Sequence, residues 1–352
     1  MRCTGRYAVA SPRSDERSFA EDVAAIAGED GYFAVLPGAD ASLLAISRHR
    51  DAFTGVELGL PPAETVEACV SKIGLLEAAD RAGLESPKSI VCDSVEAVRS
   101  AVDELGLPAL LKPRSTVFEH EGRTGEQSSL LVEDIDMLEQ RLPAFGFPCL
   151  LQRREAGATM SFGGVFGGGR MLGAVFSRYL RVWPARAGSA SFSETVDVPG
   201  PLVERIEGFL TGIGWEGIFE LELIERSGGR YGAIDFNPRL YGSLSLAERA
   251  GVPLPAIWCE WLARGRAEVR TAKAGYRYRW EDAELRNFLR LIQERRLRAA
   301  ASVARPRRRC AHAYFRWNDP GPLVGRALEM RRRLGEKRHS ATRERMAARQ
   351  EL

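Results

Sequence analysis

The sequence predicts a mixed α+β fold, and three observations carry that prediction. Residues 215–242 read as a β-hairpin in which apolar and acidic positions alternate. Upstream, short apolar strands alternate with helical patterns from Tyr7 to Leu142. Downstream, two further helices are expected over 243–250 and 254–263.

Composition bounds the rest. At 352 residues the chain can hold two or three compact units with cores of their own. It is 45% apolar and 28% charged, as ordinary globular proteins are. No apolar run approaches the roughly 18 residues of a membrane span, and no signal peptide opens the chain, so a cytoplasmic protein is expected. The six cysteines show no Cys-x-x-Cys pair and there are only four histidines, which argues against a zinc site or a disulfide frame. The net charge is +3, and Arg outnumbers Lys 45 to 5, a bias suggesting a GC-rich genome more than a function. The few lysines are therefore informative.

In chain order, 7–10 reads as a short strand and 16–27 as a helix stopping before Gly28. YFAVL (32–36) reads as a buried strand, followed by a Pro-Gly-Ala-Asp turn and a helix over 42–53. Residues 61–83 read as one helix, with Val66, Val70, Ile73 and Leu76 at helical spacing and Gly83 as its stop; Lys72 falls within it. A strand over 89–92 precedes a helix capped by Asp93 or Ser94 and ended by Gly106. LPALLKPR is a buried strand carrying Lys112, an ammonium that is costly there unless it meets an anion. Residues 115–129, polar with Gly122 and Gly125, form the kind of loop whose N–H groups can cover phosphates, although most such loops are only connections. A strand over 129–132, a helix over 133–142 and an apolar strand over 147–152 that breaks into RREAG complete the first part.

Residues 161–183 read as a hairpin about 167–170, whose second strand delivers Arg178 and Arg181. Such arginines can neutralise charge on a transferring phosphoryl group, or be surface charge in an Arg-rich chain. A helix over 201–211 leads to the hairpin at 215–242. Trp258 and Trp261 in the last helix of this region read as core. Further on, YRYRW (276–280) and a helix from 281 to about 303 are expected to pack back through Leu285, Phe288, Leu289 and Ile292. The stretch past Arg305 is very rich in Arg; a basic tail can bind nucleic acid, but its interspersed Glu residues make a solvated helix or frayed end the better reading.

Within 215–242, Phe219, Leu221 and Leu223 share the face that reads as core, and Ile218, Glu220, Glu222 and Ile224 share the other. If Gly228-Gly229 is a two-residue loop, Ser227 pairs with Arg230, Glu222 lies opposite Asp235, and Glu220 opposite Asn237. Directly opposed β-carbons are only about 4.5–5.5 Å apart, where like charges destabilise the ladder. A cation between them resolves the conflict. Mg²⁺ takes carboxylate and amide oxygens and fills its shell with water and phosphate, and Glu222, Asp235 and Asn237 supply that set. Arg239 adds a fork of donors suited to an anion. The bland alternative is an exposed hairpin with its carboxylates in water.

At these residues the chain resembles the ATP-grasp superfamily, in which an acid on one strand precedes an acid-x-Asn-Pro-Arg run on the next. Here Asp235 stands where Glu is usual. The resemblance extends over about 34–263 and is nearest to the carbamoyl-phosphate-synthase-like, carboxylate–amine ligase branch. It implies an ATP-grasp fold, two α+β subdomains clamping ATP, preceded by a truncated Rossmann-like domain. It also implies ATP and Mg²⁺ (or Mn²⁺) as cofactors, an acyl phosphate made from a carboxylate, and attack on it by an amine or similar nucleophile. Carried residue by residue, Lys72 and Lys112 would hold phosphates, and Gln152, Arg153 and Arg154 would lie beside the adenine at the hinge. Glu222, Asp235 and Asn237 would hold the metal, and Arg239 with Arg178 or Arg181 would meet the γ-phosphate and the substrate carboxylate. The ribose-binding acid of the family is not evident after Gly157.

The implied organisation is 1–62 truncated Rossmann-like domain, 63–146 and 147–263 the two subdomains, and 264–352 a helical, Arg-rich extension. A parallel sheet lacking its first strand–helix unit leaves an unpaired edge that a second copy of the chain would cover. The rival readings are a catalytically weak or inactive ATP-binding regulatory module and, more distantly, a nucleic-acid-binding protein led by the tail.

Overall fold

A computed structural model describes residues 5–120, 123–316 and 318–332. Gly122 of the predicted phosphate-covering loop and the Arg-rich tail past 332 lie outside the described residues.

The chain begins with helices α1 (Glu16–Glu29), α2 (Asp40–Arg48), α3 (Ala63–Val70) and α4 (Lys72–Arg81). Asp15 caps α1 by accepting the Ser18 N–H at 2.9 Å. The strands predicted over 7–10 and 32–36 do not form; what remains is one parallel bridge, Ala34 to Glu57. Tyr32 and Phe33 are exposed, because no neighbouring strand covers them. Among the described residues there is thus no N-terminal sheet whose edge a partner would cover. The helix predicted over 61–83 breaks at Ser71, whose backbone turns to ψ 112°, and the Lys72 N–H bonds instead to the Arg114 carbonyl at 2.8 Å. Lys72 therefore stands at the first turn of a new helix.

Next come β1 (Ser89–Cys92), α5 (Val95–Leu105), β2 (Ala109–Pro113), β3 (Val117–His120), β4 (Arg123–Glu126), β5 (Leu130–Val132), α6 (Ile135–Arg141) and β6 (Cys149–Arg153). Ser94 caps α5 through the Ala97 N–H, and Gly106 ends it at φ 75°. An antiparallel sheet in the order β1-β6-β2-β5 packs one face on α5 and α6 through Val98, Leu111, Leu138 and Leu151. Strand β6 pairs with both β1 and β2 and so belongs to this sheet. The polar stretch predicted as a loop contains the two-stranded ladder of β3 and β4.

The larger sheet is built from β7 (Ala158–Gly167), β8 (Arg170–Trp183), β9 (Ser189–Thr195), β10 (Gly217–Arg226) and β11 (Arg230–Asn237), with α7 (Gly200–Gly212) inserted before β10. Then follow α8 (Leu244–Arg249), α9 (Leu254–Arg264), β12 (Arg270–Thr271), β13 (Arg277–Arg279), α10 (Glu281–Gln293), α11 (Leu297–Ala304) and β14 (Cys310–His312). The strand order is β11-β10-β7-β8-β9-β13-β14, with β12 beside β8, so the C-terminal extension completes the sheet instead of merely leaning on it. One face is sealed by α3, α4 and α7 around Phe162, Phe209, Trp215 and Phe219; Phe162 and Phe219 stack with centroids 6.2 Å apart. Part of the other is sealed by α8 and α9 around Val165, Ile218 and Trp258. Trp258 is core, and Trp261 packs beside it.

Two details of the extension differ from the sequence reading. The helix over 281–303 is two helices, parted at Arg295, which adopts φ 56°. Moreover α10 buries Asp282, Glu284 and Asn287 and leaves Leu285, Leu289 and Ile292 41–51% exposed. Of the predicted apolar contacts, Phe288 packs against Leu291, Ala300 and Val303. The physical reason for the inverted face lies on β8: Arg181 is largely buried, and Glu284 must enter the protein to neutralise it.

Candidate active site between the two sheets

The β10–β11 hairpin closes through a three-residue turn, Ser227–Gly229, and Arg226 rather than Ser227 faces Arg230. Gly228 and Gly229 take φ 74° and 70°, which only glycine accepts without strain. This turn would shift the predicted register by one. A β-bulge at Ile234 shifts it back, so that Glu222 faces Asp235 and Glu220 faces Asn237 after all. The bulge leaves Ile234 without a cross-strand partner, and the Lys112 ammonium of β2 donates to its carbonyl at 2.6 Å. Turn, bulge and buried lysine thus form one device at the meeting of the two sheets.

Around the opposed pair the side chains are linked. Tyr179 Oη donates to Glu222 at 2.8 Å, and Ser161 Oγ donates to Glu220 at 2.7 Å. Asn237 Nδ2 donates to Glu220 at 3.2 Å, while its Oδ1 accepts from Arg239 at 3.0 Å. Lys72 pairs with Asp235 across 163 positions of sequence. Arg239 is engaged at all three nitrogens, by Asp40, Asn237 and the Leu240 carbonyl.

The charges are in conflict. Burial, then the Glu220 and Asp235 charges, pushes the Glu222 carboxyl up to about 8. Burial raises Glu220 as well. Burial also opposes ionisation of Asp235, but Lys72, Lys112 and Arg239 outweigh it and hold that carboxyl below its ordinary value. Burial pulls Lys112 down to about 8. A raised acid costs the fold more as pH rises past its unfolded value, so the Glu222 penalty is absent below about 4.5 and complete above about 8. Glu222→Gln should stabilise the ligand-free protein at pH 8.5 by on the order of 1–3 kcal/mol and by nothing near pH 4. Urea unfolding at the two pH values checks this, and an equal gain at both would refute the buried-acid account.

A cavity partly open to solvent lies beside this cluster. Lys72, Lys112, Gln152, Ser86 and Asp235 line it together with Leu75, Leu150, Phe209 and Leu221. Gln152 is fully buried; its Nε2 donates to Ser89, while its Oε1 and the Ser86 hydroxyl have no protein partner. Two orphaned polar atoms in an apolar cavity are a site for a ligand with polar edges.

The structure thus gathers Lys72, Lys112, Gln152, Glu222, Asp235, Asn237 and Arg239 into one region. It does not bring in the others. Arg178 is exposed and pairs with Glu225. Arg181 lies over the Phe192 ring at 4.3 Å and forks onto Glu284. Arg153 and Arg154 are exposed and do not line the cavity, and the Arg153 N–H bonds to the Lys88 carbonyl. The hinge is held by Glu155, which forks onto Arg226, and by Gly157, where a β-carbon would lie 2.3 Å from the Glu225 carbonyl. Sequence reasoning missed Asp40, Ser86, Ser161 and Tyr179 and gave Glu220 no role. Glu220 was signalled by its place opposite Asn237; the other four carry no local signal, because each arrives from a distant segment.

The donor set suits a hard cation. Among the described residues no three His, Cys, Asp or Glu side chains gather into a metal shell by themselves. Two opposed carboxylates and an amide are the hard oxygen donors that Mg²⁺ takes, and the raised Glu222 marks a charge conflict that a dication would relieve. Among the described residues no helix is long and apolar enough to cross a membrane.

No protein-family model and no curated protein matches the chain. Solved structures do. An L-amino acid ligase from Bacillus licheniformis aligns at TM-score 0.54 and 15% identity over 71% of this chain and 61% of that one. An N5-carboxyaminoimidazole synthetase from Staphylococcus aureus, complexed with ADP, aligns at 0.57 and 11% over 76% and 68%. The biotin carboxylase domain of Hydrogenobacter thermophilus 2-oxoglutarate carboxylase, in complex with MgADP and bicarbonate, aligns at 0.57 and 18% over 74% and 61%. The chain spans about three fifths of the length of the first and third. Identities this low carry no activity across, but with the architecture described above they establish that this chain has the ATP-grasp fold.

Proposed function

We propose that the protein is an ATP- and Mg²⁺-dependent ligase that activates a carboxylate as an acyl phosphate for attack by an amine or similar nucleophile. The observation that carries this reading is the opposed Glu222–Asp235 pair, with Asn237 beyond it, beside a lysine-lined cavity. The orphaned Gln152 Oε1 and Ser86 Oγ take the polar edge of the base between Leu150 and Leu221. Lys112, fixed on the Ile234 carbonyl, and Lys72 hold the phosphates. Glu222, Asp235 and Asn237 would hold Mg²⁺, which would supply neutralisation of phosphate charge. Of the three predicted arginines only Arg239 touches this group, through Asn237, and to it falls the charge of the transferring phosphoryl. Tyr179 and Ser161 keep Glu222 and Glu220 aimed at the site.

The test is a screen of carboxylate and amine pairs for ADP formation with MgATP. One pair raising ADP release at least tenfold over ATP alone is the expected result. Nucleotide binding with no pair-dependent turnover would instead leave an ATP-binding module, and no nucleotide binding would end both readings.

A further inference from the structure

We infer that Lys72 is an internal counter-ion that takes the divalent ion's place on Asp235 and must leave it before a metal binds. The chain would then accept the metal only together with a nucleotide. The inference rests on the function proposed above and concerns the order in which its ligands enter.

The two cavity lysines are held differently. Lys112 extends from the middle of the first sheet and is tied to the backbone carbonyl of Ile234 at the bulge. Lys72 starts α4 and reaches across to the edge strand β11, where its ammonium bonds to Asp235 Oδ1. Its side chain is 13% exposed and that of Asp235 27%, so the pair borders the cavity instead of being sealed beneath it. A compact ammonium on a flexible four-carbon stem can be released from such a pair and re-aimed.

An ammonium and a dication cannot both sit on one carboxylate without strong repulsion. A metal arriving alone must expel Lys72 from Asp235, the one carboxylate with which it pairs among the described residues, while the same metal claims Glu222 across the ladder. When a nucleotide arrives, its phosphates receive the ammonium and Asp235 is freed for the metal. By linkage, nucleotide and metal then raise each other's affinity by the same factor.

Mn²⁺ binding followed by electron paramagnetic resonance tests this without turnover. The wild type should bind Mn²⁺ alone only in the millimolar range, and should bind it tightly with a non-hydrolysable ATP analogue. Lys72→Met and Lys72→Gln should both bind Mn²⁺ alone at least tenfold more tightly than the wild type, whereas Lys72→Arg, which keeps the charge, should not. Far-UV circular dichroism melts show that each variant is folded. If neither neutral variant gains affinity while the wild type still binds Mn²⁺ with the analogue, the counter-ion idea is wrong and the metal site stands. If Mn²⁺ binds nowhere, even with the analogue, the metal site itself is refuted and this inference with it.

Discussion

Asp235→Ala should lower ADP release by about 10³-fold or more, the scale on which removal of a charge-stabilising group acts. Asp235 is the only acid on β11, and it faces Glu222 across the ladder. Its loss leaves Lys72 and Lys112 without the carboxylate that draws both, and would take one of three oxygen donors from the proposed cation. Asp235→Asn keeps the shape and removes only the charge, so it should fall nearly as far; Asp235→Glu should recover most of the rate if the site has room for the longer acid. The measurement is ADP release with a pair found by the screen. Turnover of the alanine variant within tenfold of wild type would remove Asp235 from the mechanism.

The second large effect concerns stability and lies away from the cavity. Glu284 is 4% exposed, accepts from Arg181 Nε at 3.0 and 3.1 Å, and takes the Ser191 hydroxyl at 2.8 Å. Asn287 bonds Ser191 at 3.0 Å, so one turn of α10 satisfies a polar layer between β8 and β9. Glu284→Ala leaves a guanidinium with no counter-charge over Phe192 and should cost about 3–5 kcal/mol, as breaking a buried pair does. Arg181→Met combined with Glu284→Leu should recover most of that, because removing both charges ends the conflict. Urea unfolding of the two single variants and the double variant measures the coupling. A loss under about 1 kcal/mol for Glu284→Ala would show that solvent reaches the pair.

Alternation and turn chemistry made the 215–242 hairpin legible: a period of two places Glu220 and Glu222 on one face, and the diglycine restricts the turn. The expected register was reached by a different route, since a longer turn and a bulge cancel. Neither is visible in residue type alone; Ile234 carries no mark of a bulge, and the donor that meets its carbonyl, Lys112, comes from another sheet. The helical spacing of 61–83 hid a break at Ser71, because the acceptor that stops the helix, the Arg114 carbonyl, lies far along the chain. The apolar stripe of α10 misled for a similar reason: burying Arg181 on β8 demands a carboxylate, and that demand outweighs the pattern on the helix.

By itself, then, the sequence determined that the strands of the 215–242 hairpin pair and that Glu222 faces Asp235, since local alternation and glycine conformation act over a few residues. Only the tertiary structure decided which cation meets which acid. Lys72 goes to Asp235, Arg239 to Asp40 and Arg181 to Glu284. Those pairings join segments 100 or more residues apart, and burial selects them by charge, whatever their separation along the chain.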